Sequence, residues 1–189
     1  MIAMAAGCSL WFADQILALK NRRRRKPDFY FVSILVSLGF FVSAVGLGVA
    51  AAASIAANGL TGASTRLLLA YFVTGVIGWM GTALVANSYK IVPFLVWYHR
   101  YSGQAGKAPV PLLADMFSLG WAKFVVATHV AATLILVVAV LTHETLFVMI
   151  AAAGMVTTGL GHAAGLLTML LPKRSSRPAP IPRRGVVKS

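Results

Sequence analysis

Two histidines, His129 and His162, are the residues of this sequence best suited to chemistry. Each lies in a long apolar run, and only Thr142-His143-Glu144 joins the two runs. A connection that short makes the runs antiparallel neighbouring helices. Counted from the turn, the two histidines differ in depth by about 6 Å at the helical rise. Neutral imidazoles on facing helices at similar depth are what a bis-histidine haem requires, so both are candidate haem ligands, with haem b the cofactor implied. Gly159, Gly161 and Gly165 flank His162 and would leave space for a ring. The alternative is two unrelated histidines, bonded to backbone or to threonines such as Thr128 or Thr158. His99 and His143 fall near opposite surfaces and cannot join the pair.

Asp14 is the second candidate. A carboxylate at depth in a membrane costs roughly 2.5–3.5 kcal/mol on insertion scales, so it is expected to face the bundle and to have a partner. Lys90 and Lys123 lie toward the same end, and Lys90 is the residue paired with it here. The pair reads either as a structural ion pair or as part of a proton relay, and a protonated, hydrogen-bonded acid is a further option. Asp28, beside the second span, is expected to be solvated. No phosphate-binding glycine loop, nucleophile elbow, CxxC pair or HExxH is present, and four acids leave little scope for paired-carboxylate catalysis. No catalytic residue is assigned, and no metal site beyond the haem pair.

The elements that must position these residues are membrane helices. The 189-residue chain is 59% apolar and only 11% charged, against roughly 25% charged in soluble domains. The fold class is therefore all-α, a polytopic transmembrane helical bundle. Five spans are expected, at about 1–19, 29–57, 67–89, 120–141 and 145–171. An interfacial segment over 90–118 separates the third and fourth. The bundle occupies 1–172, and the basic, Pro-rich tail over 173–189 has too few apolar residues to pack, so it is expected to be disordered. The single cysteine, Cys8, forms no internal disulfide. No basic leader precedes the first span, so no signal peptide is read.

Orientation follows from the cations. Of seventeen Lys and Arg, five alternating spans put all but Arg66 on one side. The positive-inside rule makes that side cytoplasmic, with the N-terminus outside and the C-terminus inside. The net charge of +13 then suits an anionic inner leaflet rather than nucleic acid.

The third span leads into GTALVANSYKIVPFLVWYHRYS, from Gly81 to Ser102. Pro93 removes a backbone donor and is expected to kink or stop the helix. Pro93, Trp97, Tyr98, His99, Arg100 and Tyr101 then read as an aromatic-cationic belt at the inner interface. Gly75, Gly78 and Gly81 recur every three residues, which means either close helix packing or room for a flat cofactor.

GWMGTALVANSYKIVPFLVWYHRYS, followed by a Gly/Pro loop and VPLLADMF, resembles the C-terminal half of compact bacterial proteins similar to haem–copper oxidase subunit I. The resemblance covers about Gly78 to Phe117. In such proteins membrane histidines hold haem and copper. Here there is no HxH and no histidine in the first three spans, so no metal site carries over. The resemblance implies a non-catalytic subunit or half-length protein of the bacterial cytoplasmic membrane. It would pack with other membrane subunits of a respiratory-type complex. A haem-binding electron-transfer protein using His129 and His162 is the alternative, and a proton or small-solute transporter a weaker one.

Overall fold

The computed structural model describes residues 28–105 and 107–172, together with Gly7, Leu10, Ala13, Asp14, Leu17 and Lys20. The remainder of the first span, the basic run before Asp28 and the tail over 173–189 lie outside the described residues. The regular secondary structure is all helical, with no strand among the described residues. Among the described residues, four helices are long and apolar enough to cross a membrane.

Helix α1 spans Phe29–Asn58. Asp28 starts it, its carboxylate accepting the Phe31 N–H at 2.8 Å and so satisfying one of the orphan donors of a helix start. Gly59, at φ 71°, ends it and returns its N–H to the Ile55 carbonyl. The next helix begins at once with a capping box between Thr61 and Ser64. It runs as α2 (Gly62–Phe72), a nine-residue π-helical segment (Val73–Gly81) and α3 (Thr82–Tyr101), closing in a 3₁₀ turn at Ser102–Gln104. This composite helix is 43 residues long. Helix α4 (Leu119–Thr142) starts on Ser118, whose hydroxyl accepts the Trp121 N–H. It ends on His143 in the left-handed conformation, with φ 65°. Helix α5 is Thr145–Leu170, with Pro172 two residues beyond.

Two antiparallel hairpins build the bundle. In the first, close approaches at Gly48–Tyr71, Gly75–Ala44 and Gly78–Phe40 step symmetrically outward from the Gly59–Leu60 turn. In the second, Gly154–Ala132, Gly161–Val125 and Gly165–Trp121 step outward from His143 in the same way. Small residues set both seams, because without a hydrophobic drive in lipid the backbones must come close to gain dispersion contact. A Cβ on Gly78 would stand 2.7 Å from the Phe40 ring, and one on Gly81 3.0 Å from His129 Nε2. The glycine repeat therefore serves close packing on two different neighbours, with Gly75 and Gly78 against α1 and Gly81 against α4. The space a flat cofactor would need at Gly78 and Gly81 is filled by Phe40 and His129.

Pro93 does not stop the helix. Helix α3 continues through it for two more turns. The carbonyl that Pro93 leaves without a donor is that of Tyr89, four residues earlier. It accepts instead from the Tyr30 hydroxyl of α1 at 3.0 Å. The expected break depended on that carbonyl having no other partner. The returning loop covers the overhang, with Trp97 Nε1 donating to the Pro111 carbonyl at 2.7 Å.

Candidate functional site

The composite helix has a second backbone irregularity besides Pro93, and one of the candidate histidines sits on it. In π spacing, the Ile77 carbonyl would receive the N–H of Thr82. That N–H turns instead to the Gly78 and Trp79 carbonyls, as α spacing resumes. The Ile77 carbonyl, in the last turn of the π segment, lies 3.0 Å from His129 Nε2. A carbonyl only accepts, so Nε2 carries the proton and donates. His129 is buried, at 6% exposure, and Gly81 opposite it has no side chain to obstruct the ring. Thr133 donates to the His129 carbonyl at 2.8 Å, one turn on. Stretches of π spacing within α-helices recur at functional sites, and here a histidine of a neighbouring helix meets a carbonyl of the segment.

His162 reaches the same composite helix three turns away. Its Nε2 is 3.3 Å from Ser88 Oγ, and Ser88 gives its own proton to the Val85 carbonyl at 2.7 Å. The serine oxygen therefore accepts, and His162 also holds its proton on Nε2. Its Nδ1 is a buried lone pair with no hydrogen-bond partner. The Tyr89 ring meets the imidazole edge-on, with centroids 5.3 Å apart.

The hairpin register places His129 opposite Thr157 and His162 opposite Phe124. The two histidines thus differ by five residues in depth, about 7.5 Å. Both are directed at the composite helix, but their partners on it, Ile77 and Ser88, are eleven residues apart. A bis-histidine iron needs two deprotonated nitrogens about 4 Å apart, each about 2 Å from the metal. Here the two Nε2 atoms are tied to separate levels of the composite helix. The glycines beside His162 do clear room for a ring, but that ring is the Trp121 indole. Its Nε1 donates to the Gly161 carbonyl at 2.9 Å, and it would lie 3.1 Å from a Cβ on Gly165. The residues present do not fit a haem, and no group of three or more metal-ligating side chains occurs among the described residues.

What the structure does assemble is a polar seam along the inner faces of the composite helix, α4 and α5. Besides the histidines it holds Thr74 Oγ1, Thr82 Oγ1, Thr158 Oγ1 and Tyr89 Oη, all buried without hydrogen-bond partners. The seam ends in two cavities that share Tyr89 and Phe117 in their walls. The smaller, about 340 Å³, lies against Trp121, Gly165 and Thr168. The larger, about 560 Å³, lies against Asp28, Tyr30, Lys90, Pro93 and Lys123.

The remaining expected site residues are distributed as follows. Asp14 is on an exposed helical position and forms no ion pair with Lys90. The Lys90 ammonium stands instead 5.9 Å from the centroid of the Tyr30 ring. In the belt, Pro93 and Tyr101 are buried, whereas Tyr98, His99 and Arg100 are exposed. Arg100 donates to the Leu170 carbonyl at 2.8 Å, capping the C-terminus of α5. Tyr98 lies near Phe94 on one side and His99 on the other. Sequence reasoning missed Tyr30, Tyr89 and Trp121. The one local signal was Pro93, which marks the Tyr89 carbonyl as needing a donor. The chain matches no protein-family model, no curated protein and no solved structure.

Proposed function

We propose that this chain is a non-catalytic integral membrane subunit, or half-length protein, resembling haem–copper oxidase subunit I. It packs against other membrane subunits of a respiratory-type complex in the bacterial cytoplasmic membrane. The observation that carries this reading is the use made of the two membrane histidines. Both Nε2 protons go to atoms of the composite helix, Ile77 O and Ser88 Oγ, so the imidazoles act as struts between helices. A strut function asks for no cofactor and agrees with the absence of catalytic motifs in the sequence. The chain spans the bilayer five times on this reading, with the N-terminus outside and the basic tail in the cytoplasm, a topology that the cation distribution favours.

Two measurements test it. Extracted from its own membrane in mild detergent, the chain runs on native electrophoresis in an assembly several times its own 20.0 kDa mass. Migration as a lone chain overturns the subunit reading. A stoichiometric Soret band that disappears in His129→Leu would replace it with the haem reading.

A second reading, proton conduction, is favoured by the buried polar atoms that have no protein partner along the seam. It moves the relay from Asp14 and Lys90 to His162 and the threonines. Proton flux in liposomes that His162→Leu abolishes would establish it, and flux unchanged by that substitution would exclude this route.

A further inference from the structure

We propose that the larger cavity binds the phosphate headgroup of an anionic phospholipid. This rests on the chain spanning a membrane and is independent of its having partner subunits. The cavity, about 560 Å³, lies at one end of the bundle, where α1 begins and the composite helix passes Pro93. Two lysines from different helices, Lys90 of α3 and Lys123 of α4, line it. Both are exposed, and neither is in an ion pair among the described residues. The one acid in the wall, Asp28, has its Oδ1 engaged by the Phe31 N–H as the cap of α1. Two lysines against that single carboxylate leave the wall with one cation in excess.

The rest of the wall is apolar and aromatic, including Phe29, Leu113, Phe117 and Leu119. That combination distinguishes among ligands. A free anion would use the lysines and leave the apolar wall exposed. A zwitterionic headgroup would set its own ammonium beside two others. A phosphodiester with acyl chains satisfies both parts, with the phosphate on the lysines and the first methylenes on the aromatic wall. Basic pockets between membrane helices at the cytoplasmic face recognise anionic headgroups on these terms. The volume lies within the range of small-molecule sites, about 300–1,000 Å³.

The test titrates short-chain phosphatidylglycerol, the matching phosphatidylcholine and inorganic phosphate into delipidated full-length protein in neutral detergent. Native mass spectrometry counts the bound lipid. The expected result is saturable binding of phosphatidylglycerol and at least about tenfold weaker binding of phosphatidylcholine. Lys90→Gln/Lys123→Gln should weaken phosphatidylglycerol by about thirtyfold, the equivalent of about 1 kcal/mol for each lysine. Lys107→Gln, an exposed lysine of the 105–118 loop that lines neither cavity, should leave it unchanged. Equal binding of the two lipids overturns the proposal, as does an equal loss in Lys107→Gln. Displacement of phosphatidylglycerol by an equal concentration of inorganic phosphate also overturns it, since the site would then take the free anion. If the double Gln variant loses helicity, Lys90→Arg/Lys123→Arg decides. It keeps the charge and should keep the lipid, and loss of the lipid there refutes the assignment.

Discussion

The hydrogen bond from Tyr30 to the Tyr89 carbonyl makes a prediction that a thermodynamic cycle can isolate. Pro93 deprives that carbonyl of its helical donor, and Tyr30 supplies one at 3.0 Å from another helix. Tyr30→Phe keeps the ring, and with it the Lys90 contact, but removes the donor. A buried polar group left unsatisfied costs about 1–3 kcal/mol. Hydrogen bonds between membrane helices measure about 0.6 kcal/mol on average and up to about 1.7. The bond is only partly buried, so a loss of about 1–1.5 kcal/mol is expected. Pro93→Ala restores an N–H that can serve the same carbonyl from within the helix. In that background Tyr30→Phe should cost no more than about 0.5 kcal/mol, the usual error of additivity. The assay is reversible unfolding of four proteins in mixed micelles, followed by far-ultraviolet circular dichroism. The sign of the Pro93→Ala effect alone is immaterial, because the cycle reads only a difference. Equal costs of Tyr30→Phe in both backgrounds would refute the reasoning.

Three further outcomes are expected. Gly154→Ala places a Cβ 2.7 Å from Ala132 Cβ, a contact no side-chain rotation relieves. It should destabilise by about 1–3 kcal/mol in the same unfolding assay, and adding Ala132→Gly should recover most of the loss. His129→Leu removes the Nε2 donor from the Ile77 carbonyl and should cost about 1–3 kcal/mol, more than His162→Leu, since Ser88 keeps its bond to Val85. The reverse order would mean that the π-segment bond is not the stronger strut. A reporter fused after Ser189 should read cytoplasmic and one within the Gly59–Thr61 turn external, and finding both on one side would end the five-span topology.

Much of the helical layout can be read locally. Helices α1, α4 and α5 lie within a residue or two of their apolar runs, because length and hydropathy are properties of each run alone. The Thr142–Glu144 turn forces α4 and α5 to be antiparallel, and its position sets the histidine depths. What could not be read was rotational phase against a third element. The convergence of His129 and His162 on one iron assumed that each faces the other. Each faces the composite helix instead, at Ile77 and at Ser88. The end of the third span was misplaced for a related reason. The rule that proline breaks a helix holds when the freed carbonyl has no other donor, and here the donor comes from 59 residues away. Asp14 was expected to face inward because an isolated carboxylate is costly in lipid, yet it occupies an exposed position. The π-segment has no local signature, since glycine spacing permits tight packing without specifying helical pitch.

The two irregularities of the composite helix explain why the bundle adopts one arrangement. In lipid, apolar contact between helices is nearly as good in one rotation as in another, so packing alone discriminates poorly. An orphaned carbonyl discriminates well, because it is satisfied only when one particular donor stands opposite it. The Ile77 carbonyl, at the end of the π segment, takes a donor from a neighbouring helix only if α4 presents His129. The Tyr89 carbonyl, released by Pro93, accepts only if α1 presents Tyr30. Each bond fixes both the axial register and the rotation of one neighbour. Trp121 then ties α5 to α4 through the Gly161 carbonyl, and Arg100 ties the end of α5 back to α3. Helices α1, α4 and α5 are thus keyed, directly or through one neighbour, to a helix whose own backbone is imperfect. On this argument the imperfections are the addresses, and a regularised composite helix would pack as tightly but less specifically.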